Sequence, residues 1–303
     1  MRQSIAKTNL PQHLYSGKVR DTYMLDEENL IMVSTDRISA FDVVMNQPIP
    51  GKGVILNSMS SFWLEKTKNI IPNHFVINLG DAFNKESFDF SVFENHIDEG
   101  IKKRSMIVKK AKRIDIECIV RGYLAGSAWT DYQKNKTINE KYFKENFSAA
   151  EKFSSPIFTP STKAESGHDV PLSEKDGKNL IGEEMYNFLE KKSIEIYNFA
   201  HDFSLEKGII LVDTKFEFGT INDEIILIDE LLTPDSSRYW DYNQHEIGTF
   251  PPAFDKQFLR EWLLNTNWNM TYPPPEIPDN IINVTKDRYL ESYERLTNKN
   301  LII

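Results

Sequence analysis

The chain has 303 residues, of which 40% are hydrophobic and 27% charged, and this composition supports a well-buried core in one or two domains. Its net charge of −9 argues against nucleic acid as the main partner, because binding a phosphate backbone requires a basic footprint. The single cysteine, Cys118, excludes a disulfide within the chain, and no apolar run approaches the ~20 residues that span a bilayer. We therefore expect a cytoplasmic protein with no membrane partner.

The chain up to about residue 115 is predicted to form mainly short β-strands, because runs of Val, Ile, Met and Phe alternate with turn residues. The predicted strands lie within 17–25, 29–35, 74–79 and 104–110, and a helix is predicted at 54–66. Residues 102–113 hold seven Lys or Arg among twelve. This basic run indicates either a solvated strand face or a positive wall that attracts phosphates.

The rest of the chain is predicted to hold more helix than strand. In order, the predicted elements are a strand at 116–120, helices at 127–135 and 182–207, a β-hairpin at 209–230 turned at 219–223, and a final helix at 279–297. Strands come first and helices mostly later, which predicts an α+β fold.

The segment Gly17-Lys18-Val19-Arg20-Asp21 combines a glycine with two cations. It is not a P-loop, because it lacks the GxxxxGK[ST] pattern. Two interpretations stay open. The segment is either a turn whose backbone N–H groups and cations bind a phosphate chain, or a plain hairpin turn.

The predicted hairpin carries the most informative polar pattern. Asp213, Lys215 and Glu217 alternate along one strand, so they project from one face. Carboxylates around a cation, with a lysine for phosphate, are typical of a Mg–ATP site. The alternative is a solvated face with a salt bridge.

The partner strand of this hairpin ends in two acidic residues. If Phe218 pairs with Glu224 across the turn, Asp213 lies opposite Asp229 on the polar face. Glu230 then points the other way. Phe216 and Phe218, on the opposite face, are expected to contribute to the core.

Two arginines are candidates for a second phosphate site. Arg121 ends a predicted strand, and Ser127 is expected to be the N-cap of the helix that follows, so an arginine and a helix N-terminus would meet there. Arg238 comes just after the acidic hairpin, where it would either clamp a phosphate or pair with Asp235.

Taken together, these segments resemble the phosphoribosylaminoimidazole-succinocarboxamide synthase (SAICAR synthetase) family, in its long single-chain form. The matching segments occur in order along nearly the whole chain: GKVRD at 17–21, STDRISAFD at 34–42, ECIVRGYLAGSAW at 117–129, PIFTPSTKAE at 156–165, DTKFEFG at 213–219 and DELLTPDSSRYWD at 229–241. Each segment alone is weak, but the ordered set is specific.

The resemblance implies a two-lobed fold, with a β-rich ATP-binding lobe at 1–115 and an α/β lobe at 116–303 that holds the metal and substrate site. It also implies a ligase that joins carboxyaminoimidazole ribotide to L-aspartate at the expense of ATP. The expected cofactors are ATP and Mg²⁺, and the expected partners are these small molecules. We expect a monomer that binds no nucleic acid.

The resemblance also assigns roles to individual residues. ATP is expected to be bound by Gly17, Lys18, Val19, Arg20, Lys109, Lys110, Ala111, Lys112 and Lys215. The ribotide is expected at Asp42, Arg121, Ser127 and Arg238, and Mg²⁺ at Glu217 and Asp229. The direct catalytic roles fall to Lys18, Lys215 and Arg238.

Three other functions are alternatives to the ligase. A kinase using the same cleft would normally carry an HRD-type catalytic loop, which the sequence lacks. A nucleotide-binding regulatory protein that has lost catalysis would have no need of Lys18, Lys215, Glu217, Asp229 and Arg238 together. An RNA-binding module is disfavoured by the acidic net charge.

Overall fold

The structure is a computed structural model that describes residues 4–83, 85, 87–143, 146–163 and 170–303. Its strands, in chain order, are β1 (His13–Ser16), β2 (Arg20–Met24), β3 (Asn29–Ser34), β4 (Ser39–Ala40), β5 (Val43–Val44), β6 (Phe75–Asn78), β7 (Ser105–Lys109), β8 (Lys112–Arg113), β9 (Ile116–Tyr123), β10 (Thr137–Ile138), β11 (Lys141–Tyr142), β12 (Lys152–Phe158), β13 (Ser161–Thr162), β14 (Ile209–Ile221), β15 (Glu224–Ile228) and β16 (Ser237–Asp241). Its α-helices are α1 (Lys52–Thr67), α2 (Leu79–Ala82), α3 (Glu99–Lys103), α4 (Gly126–Asn135), α5 (Glu174–Ile181), α6 (Glu183–Leu205), α7 (Gln257–Leu264) and α8 (Asp279–Thr297). The predicted α+β class is confirmed.

The predicted helices are present with small shifts at their ends. The final helix, α8, has the predicted bounds, and α1 and α4 begin one or two residues early. The predicted helix at 182–207 is α6, which begins after Gly182. Gly182 has φ +86, a conformation that favours glycine, and it separates α6 from the shorter helix α5.

The first sheet is antiparallel, in the order β1-β2-β3-β7-β6. Its central strand β3 is apolar on both faces because both faces are covered. Ile31 and Val33 pack in a cluster with Leu79 of α2, whereas Met32 packs in the cluster that contains α1 residues. The sheet therefore has a core on each side, and its far edge, β1, borders the cleft described below.

The second sheet is organised around β14, the longest strand among the described residues. Strands β9 and β16 pair with its first half, and β15 and β8 pair with its second half. Phe216 and Phe218 are fully buried in the cluster that includes Ile196 of α6, as expected. The opposite face of β14 presents the alternating polar side chains.

The chain passes from the first sheet to the second over a very short distance. Strand β7 ends at Lys109, and β8, which begins at Lys112, already pairs with β14. One hydrophobic cluster contains residues of both sheets, for example Met106 of β7 and Phe216 of β14. The division into lobes at residue 115 stays a prediction.

The C-terminal helices cover a segment of the first hundred residues. Ile38 and Ile49 pack in one cluster with Leu259 of α7 and Ile281 of α8. Helix α8 also lies against α1. Within the described part of the chain, no helix has both the length and the apolar composition to cross a membrane.

Candidate functional site

A cavity of about 1250 Å³ lies between the two sheets. Its lining includes most of the residues that the sequence suggested: Gly17, Lys18, Val19, Arg20, Asp42, Lys109, Lys110, Ala111, Lys215, Glu217 and Asp229. Lys112, Arg121, Ser127 and Arg238 are not in this lining. The fold thus brings together residues from the first sheet, from β14 and from residues 109–112, which lead from β7 to β8 and which we call the crossing segment.

The Gly17–Val19 segment is a tight turn between β1 and β2. The Gly17 N–H donates to the Arg20 carbonyl over 2.7 Å. Lys18, whose side chain is 51% exposed, pairs with Asp42. The segment is therefore a hairpin turn, and it also presents a lysine to the cavity, so the two interpretations of this motif are compatible.

The Arg37 guanidinium stabilises this turn by hydrogen bonds. It donates to the Gly17 carbonyl over 3.0 Å, to the Lys18 carbonyl over 3.1 Å and to the Asp21 carboxylate over 2.7 Å. These bonds fix the turn whose residues line the cavity, and they explain the arginine in the STDRISAFD segment.

The crossing segment borders the cavity through its first three residues. The Lys109 N–H donates to the His74 carbonyl and the Lys110 N–H to the Glu28 carbonyl, each over 2.7 Å. Lys112 is exposed, pairs with Thr220 of β14 and does not line the cavity.

The polar face of β14 meets two lysines and a second glutamate. The Glu217 carboxylate lies 2.5 Å from the Lys163 ammonium and 3.7 Å from the Lys215 ammonium. Glu117 of β9 accepts from Lys215 over 2.6 Å and from Lys163 over 2.9 Å. The four side chains form a compact cluster of two acids and two bases, which we call the lysine–glutamate cluster.

The charges of this cluster hold each other in the ionised state. Burial alone would raise the pKa of Glu217, but Lys215 and Lys163 lower it to about 2. Burial likewise opposes the charge on Lys215, yet Glu117 and Glu217 raise its pKa above the ordinary value. Both lysines therefore remain cations that a phosphate group can meet.

Asp229 and Glu230 both face the Arg20 guanidinium, at 2.6 and 2.9 Å. Asp229 has φ +63, so the chain turns sharply where β15 ends. The prediction that Glu230 points away is wrong, because this turn breaks the strand alternation. Burial raises the pKa of Asp229 to about 6, although Arg20 opposes the shift.

The predicted hairpin register is also wrong. Phe218 pairs with Leu227 rather than Glu224, and Glu217 lies opposite Ile228. The cause is a tighter turn, with only Asn222 and Asp223 at its tip, both at positive φ. Asp213 therefore does not lie opposite Asp229.

Asp213 instead holds two arginines. Its Oδ2 accepts from Arg121 Nη1 over 3.2 Å and from Arg238 Nη1 over 2.8 Å. All three side chains are largely buried, at 12 to 13% exposed. Two guanidinium groups share one carboxylate, so this arginine pair keeps an excess positive charge.

The arginine pair sits at the start of helix α4. The predicted N-cap role of Ser127 is wrong, because Ala125 is the N-cap and no side chain caps the helix. Ser127 is already inside the first turn, where its hydroxyl accepts from Arg121 over 3.3 Å. Arg121 and Ser127 are nevertheless in contact, and Arg238 lies beside Gly126.

The donor set of the cavity fits a magnesium ion carried by a phosphate chain. Glu217, Asp229 and Glu230 supply hard oxygen donors, which is the ligand type that Mg²⁺ takes. Among the described residues, no group of three or more His, Cys, Asp or Glu is arranged to hold a metal ion. One or two carboxylates plus substrate phosphates is the arrangement usual for Mg²⁺ in nucleotide sites.

Sequence reasoning assigned no site role to Glu117, Lys163 or Arg37. Glu117 lies in an apolar strand run and Lys163 in a polar segment, and their contact joins residues 46 positions apart. The only indication in the sequence was that all three residues lie in segments that resemble the family. Of that second segment, 156–165, residues 164 and 165 lie outside the described residues.

The chain is similar to known proteins in sequence and in fold. A family model described as SAICAR synthetase matches residues 13–275. The phosphoribosylaminoimidazole-succinocarboxamide synthase of Maridesulfovibrio salexigens is 43% identical over 304 residues, covering 99% of both chains. The enzyme of that name from Haemophilus influenzae strain KW20 is 45% identical over 287 residues, covering 94% of this chain and 96% of its own length. The structure of SAICAR-synthase from Saccharomyces cerevisiae complexed with SAICAR has a TM-score of 0.87 at 38% identity, covering 99% of this chain and 100% of its own.

Proposed function

Because the chain belongs to the SAICAR synthetase family, we propose that it joins carboxyaminoimidazole ribotide to L-aspartate with ATP, releasing SAICAR, ADP and phosphate. One observation carries this proposal. Strand β14 places Asp213, with its arginine pair, two residues from Lys215 and four from Glu217. Since side chains two apart on a strand lie about 6–7 Å apart, one strand presents two phosphate-binding clusters side by side.

ATP binds in the cavity between the sheets. Gly17, Lys18, Val19 and Arg20 bind its phosphate chain, with Lys215 completing the positive charge. The backbone of Lys109, Lys110, Ala111 and Lys112 borders the adenine. Supporting this assignment, the turn and the crossing segment both line the cavity, with the exception of Lys112.

Glu217 and Asp229 are the residues proposed to hold Mg²⁺, which when bound supplies neutralising charge to the phosphate oxygens. Glu230 follows Asp229 in the chain, and the Arg20 guanidinium contacts both carboxylates. The chain's own contribution is to keep Glu217 ionised through Lys163 and Lys215.

The ribotide binds next to the ATP phosphates. Arg121, Ser127 and Arg238 bind its 5′-phosphate, for which two guanidinium groups at a helix N-terminus are suited. Asp42, which lines the cavity opposite β14, lies in the ribotide pocket.

The reaction proceeds in two transfers. An oxygen of the ribotide carboxylate attacks the γ-phosphorus, the bond to ADP breaks, and an acyl phosphate forms. The amine of L-aspartate then attacks the acyl carbon, phosphate leaves, and the nitrogen loses a proton to solvent. Lys18 and Lys215 neutralise the charge that moves onto the departing ADP, and Arg238 fixes the ribotide in line.

We also propose that residues 1–115 act as the ATP-binding lobe and 116–303 as the lobe for metal and substrate. The protein is proposed to act as a cytoplasmic monomer on small molecules. The single buried cysteine fits a reducing compartment.

The test is ADP release with ATP, Mg²⁺ and the ribotide, measured with and without L-aspartate. We expect aspartate-dependent ADP release that falls at least a hundredfold in Glu217→Gln and Arg238→Ala. Glu65→Gln, an exposed acid on α1, is the matched control and should behave as the unmodified protein. ADP released equally without aspartate would identify a kinase or ATPase instead, and bound ATP without any ADP release would identify a regulatory protein.

A further inference from the structure

The C-terminal helix contacts a carboxylate at the edge of the cleft. The Tyr289 hydroxyl of α8 donates to Asp235 Oδ1 over 2.7 Å, and the Lys52 ammonium of α1 donates to Asp235 Oδ2 over 2.5 Å. Both oxygens of Asp235 are thereby occupied. Burial by itself would raise the pKa of Asp235, but Lys52 holds it well below its usual range, so the carboxylate is charged.

Through Lys52, this hydrogen-bonded contact between α8 and Asp235 continues towards the Gly17–Val19 turn. Lys52 is fully buried and also donates to the Arg37 carbonyl over 2.9 Å. Arg37 in turn donates to the carbonyls of Gly17 and Lys18. A continuous series of hydrogen bonds therefore runs from Tyr289 to the turn that presents Lys18.

Asp235 lies in the segment that connects the cavity with the arginine pair. It lines the cavity and precedes Arg238, a member of the arginine pair, by three residues. Its neighbour Ser236 accepts from the Lys215 N–H over 3.0 Å. The Asp235 carboxylate thus holds in place the 233–238 segment, which follows Asp229 and Glu230 and leads into β16.

Tyr289 does not itself line the cavity and is fully buried. It lies beyond residue 275, where the match to the family model ends. Its influence on the reaction is therefore indirect, through Asp235, which accepts from its hydroxyl, and Lys52, whose ammonium lies 5.9 Å from the centroid of its ring.

We propose that Tyr289 is a positioning residue, which through Asp235 and Lys52 fixes the spacing between the Gly17–Lys18 turn and the 233–238 segment. The inference rests on the proposed function, because that spacing sets how the γ-phosphoryl group and the ribotide carboxylate align. A misplacement near 1 Å at reacting atoms is enough to cost up to about a hundredfold in rate.

The chemistry of the connection favours positioning over stability alone. A buried ion pair is often no more stable than apolar side chains of the same volume, because two charges must leave water. Directional bonds from Lys52 and Tyr289 instead restrict Asp235 to one orientation. Loss of the hydroxyl would leave one buried carboxylate oxygen without its donor, and the segment would shift to recover one.

The experiment compares Tyr289→Phe with Tyr293→Phe. Tyr293 lies one turn later on the same helix and lines a different cavity, so it controls for loss of a phenolic hydroxyl from α8. For Tyr289→Phe we expect kcat to fall about tenfold and the KM for the ribotide to rise about fivefold, with the KM for L-aspartate within twofold. Kinetic constants equal to those of Tyr293→Phe would overturn the proposal, whatever the change in Tm.

A second measurement does not depend on the ligase reaction. We expect calorimetry with a non-hydrolysable ATP analogue to show about fivefold weaker binding to Tyr289→Phe and no change for Tyr293→Phe. If the wild type releases ADP without L-aspartate, the proposed function fails while this binding test still decides the inference. In an Asp235→Leu background, where neither acceptor oxygen is present, adding Tyr289→Phe should change kcat by less than twofold, whereas fully additive losses would show that Tyr289 acts independently of Asp235.

Discussion

The Arg20 guanidinium of β2 lies 2.6 Å from the Asp229 carboxylate, joining residues 209 positions apart in the chain. Arg20 belongs to the first sheet and Asp229 follows β15 of the second, so this ion pair connects the two sheets at the cavity that both residues line. The other terminal nitrogen of Arg20, Nη1, lies 2.9 Å from the Glu230 carboxylate. A single arginine therefore pairs with two adjacent acids, one of which is a proposed magnesium ligand.

Replacing this arginine tests how strongly the fold depends on it. Arg20→Met removes the cation that contacts both Asp229 and Glu230, and breaking such a largely buried pair costs about 3–5 kcal/mol. We expect the free energy of unfolding, from urea titration, to fall by this amount. Lys68→Met removes an exposed pair with Glu65 and should cost at most about 1 kcal/mol. Equal midpoints for the two variants would show that water already compensates the two acids.

Asp213 is predicted to control the ribotide site without touching ATP. It accepts from both Arg121 and Arg238, so Asp213→Asn loosens the arginine pair and removes its counter-charge. We expect the KM for the ribotide to rise about tenfold while the KM for ATP stays within twofold. Initial-rate kinetics in both substrates measure this separation. Asp202→Asn, which changes an 82% exposed acid on α6, is the control, and a parallel rise in the KM for ATP would contradict the assignment.

Gly126 offers a steric test of the same site. A Cβ built there would lie 2.5 Å from Arg238 Nη2, and the residue has φ +57. Gly126→Ala should therefore displace Arg238 and raise the KM for the ribotide about tenfold, in addition to a strain cost of about 1–2 kcal/mol.

The matched control for this glycine is Gly182→Ala. Gly182 has φ +86, and a Cβ there meets nothing within 4 Å. Gly182 combines φ +86 with ψ 147, a conformation that only glycine adopts readily, so the control should lose at least as much stability in thermal unfolding. Its kinetic constants should nevertheless remain within twofold of the wild type. If both alanine variants show the same KM, displacement of Arg238 is not the cause.

Local pattern was sufficient to predict the strand that carries the site. The two-residue period of a strand placed Asp213, Lys215 and Glu217 on one face and Phe216 and Phe218 on the other, as observed. Pairing along the same hairpin was not predictable from that period, because it depends on how many residues form the turn. A turn one residue longer or shorter shifts every cross-strand pair.

Contacts between segments far apart in the chain could not be predicted from the periodicity of residues along it. Asp229 meets Arg20 only because its backbone leaves the strand at φ +63, which no local propensity of an aspartate specifies. Glu117 and Lys163 meet because β13 pairs with β9, a choice made by the packing of the whole sheet. Strand alternation supplied the site residues on β14 and the family resemblance their roles, but the lysine–glutamate cluster and the Tyr289 connection required the three-dimensional arrangement.

Lys256 provides a prediction about pH. It lines the cavity, and burial lowers its pKa to about 8, with Arg260 and Lys52 acting in the same direction and Asp235 and Glu230 opposing. Because this value lies below the 10.5 of an ordinary lysine, the folded protein binds its proton less tightly than the unfolded chain does. The destabilisation is therefore complete below about pH 8 and disappears as the pH rises to about 10.5.

Lys256→Met should consequently be more stable than the wild type at pH 7, by about 1–2 kcal/mol once the partial exposure of the side chain is discounted. The advantage should shrink steadily in urea titrations between pH 8 and pH 10, since the wild-type lysine loses its charge over that range. Lys286→Met on α8, whose side chain is 31% exposed, is the control and should follow the wild type at every pH. A constant difference between Lys256→Met and the wild type across this range would show that the gain comes from apolar packing, because a packing contribution does not depend on the protonation of residue 256.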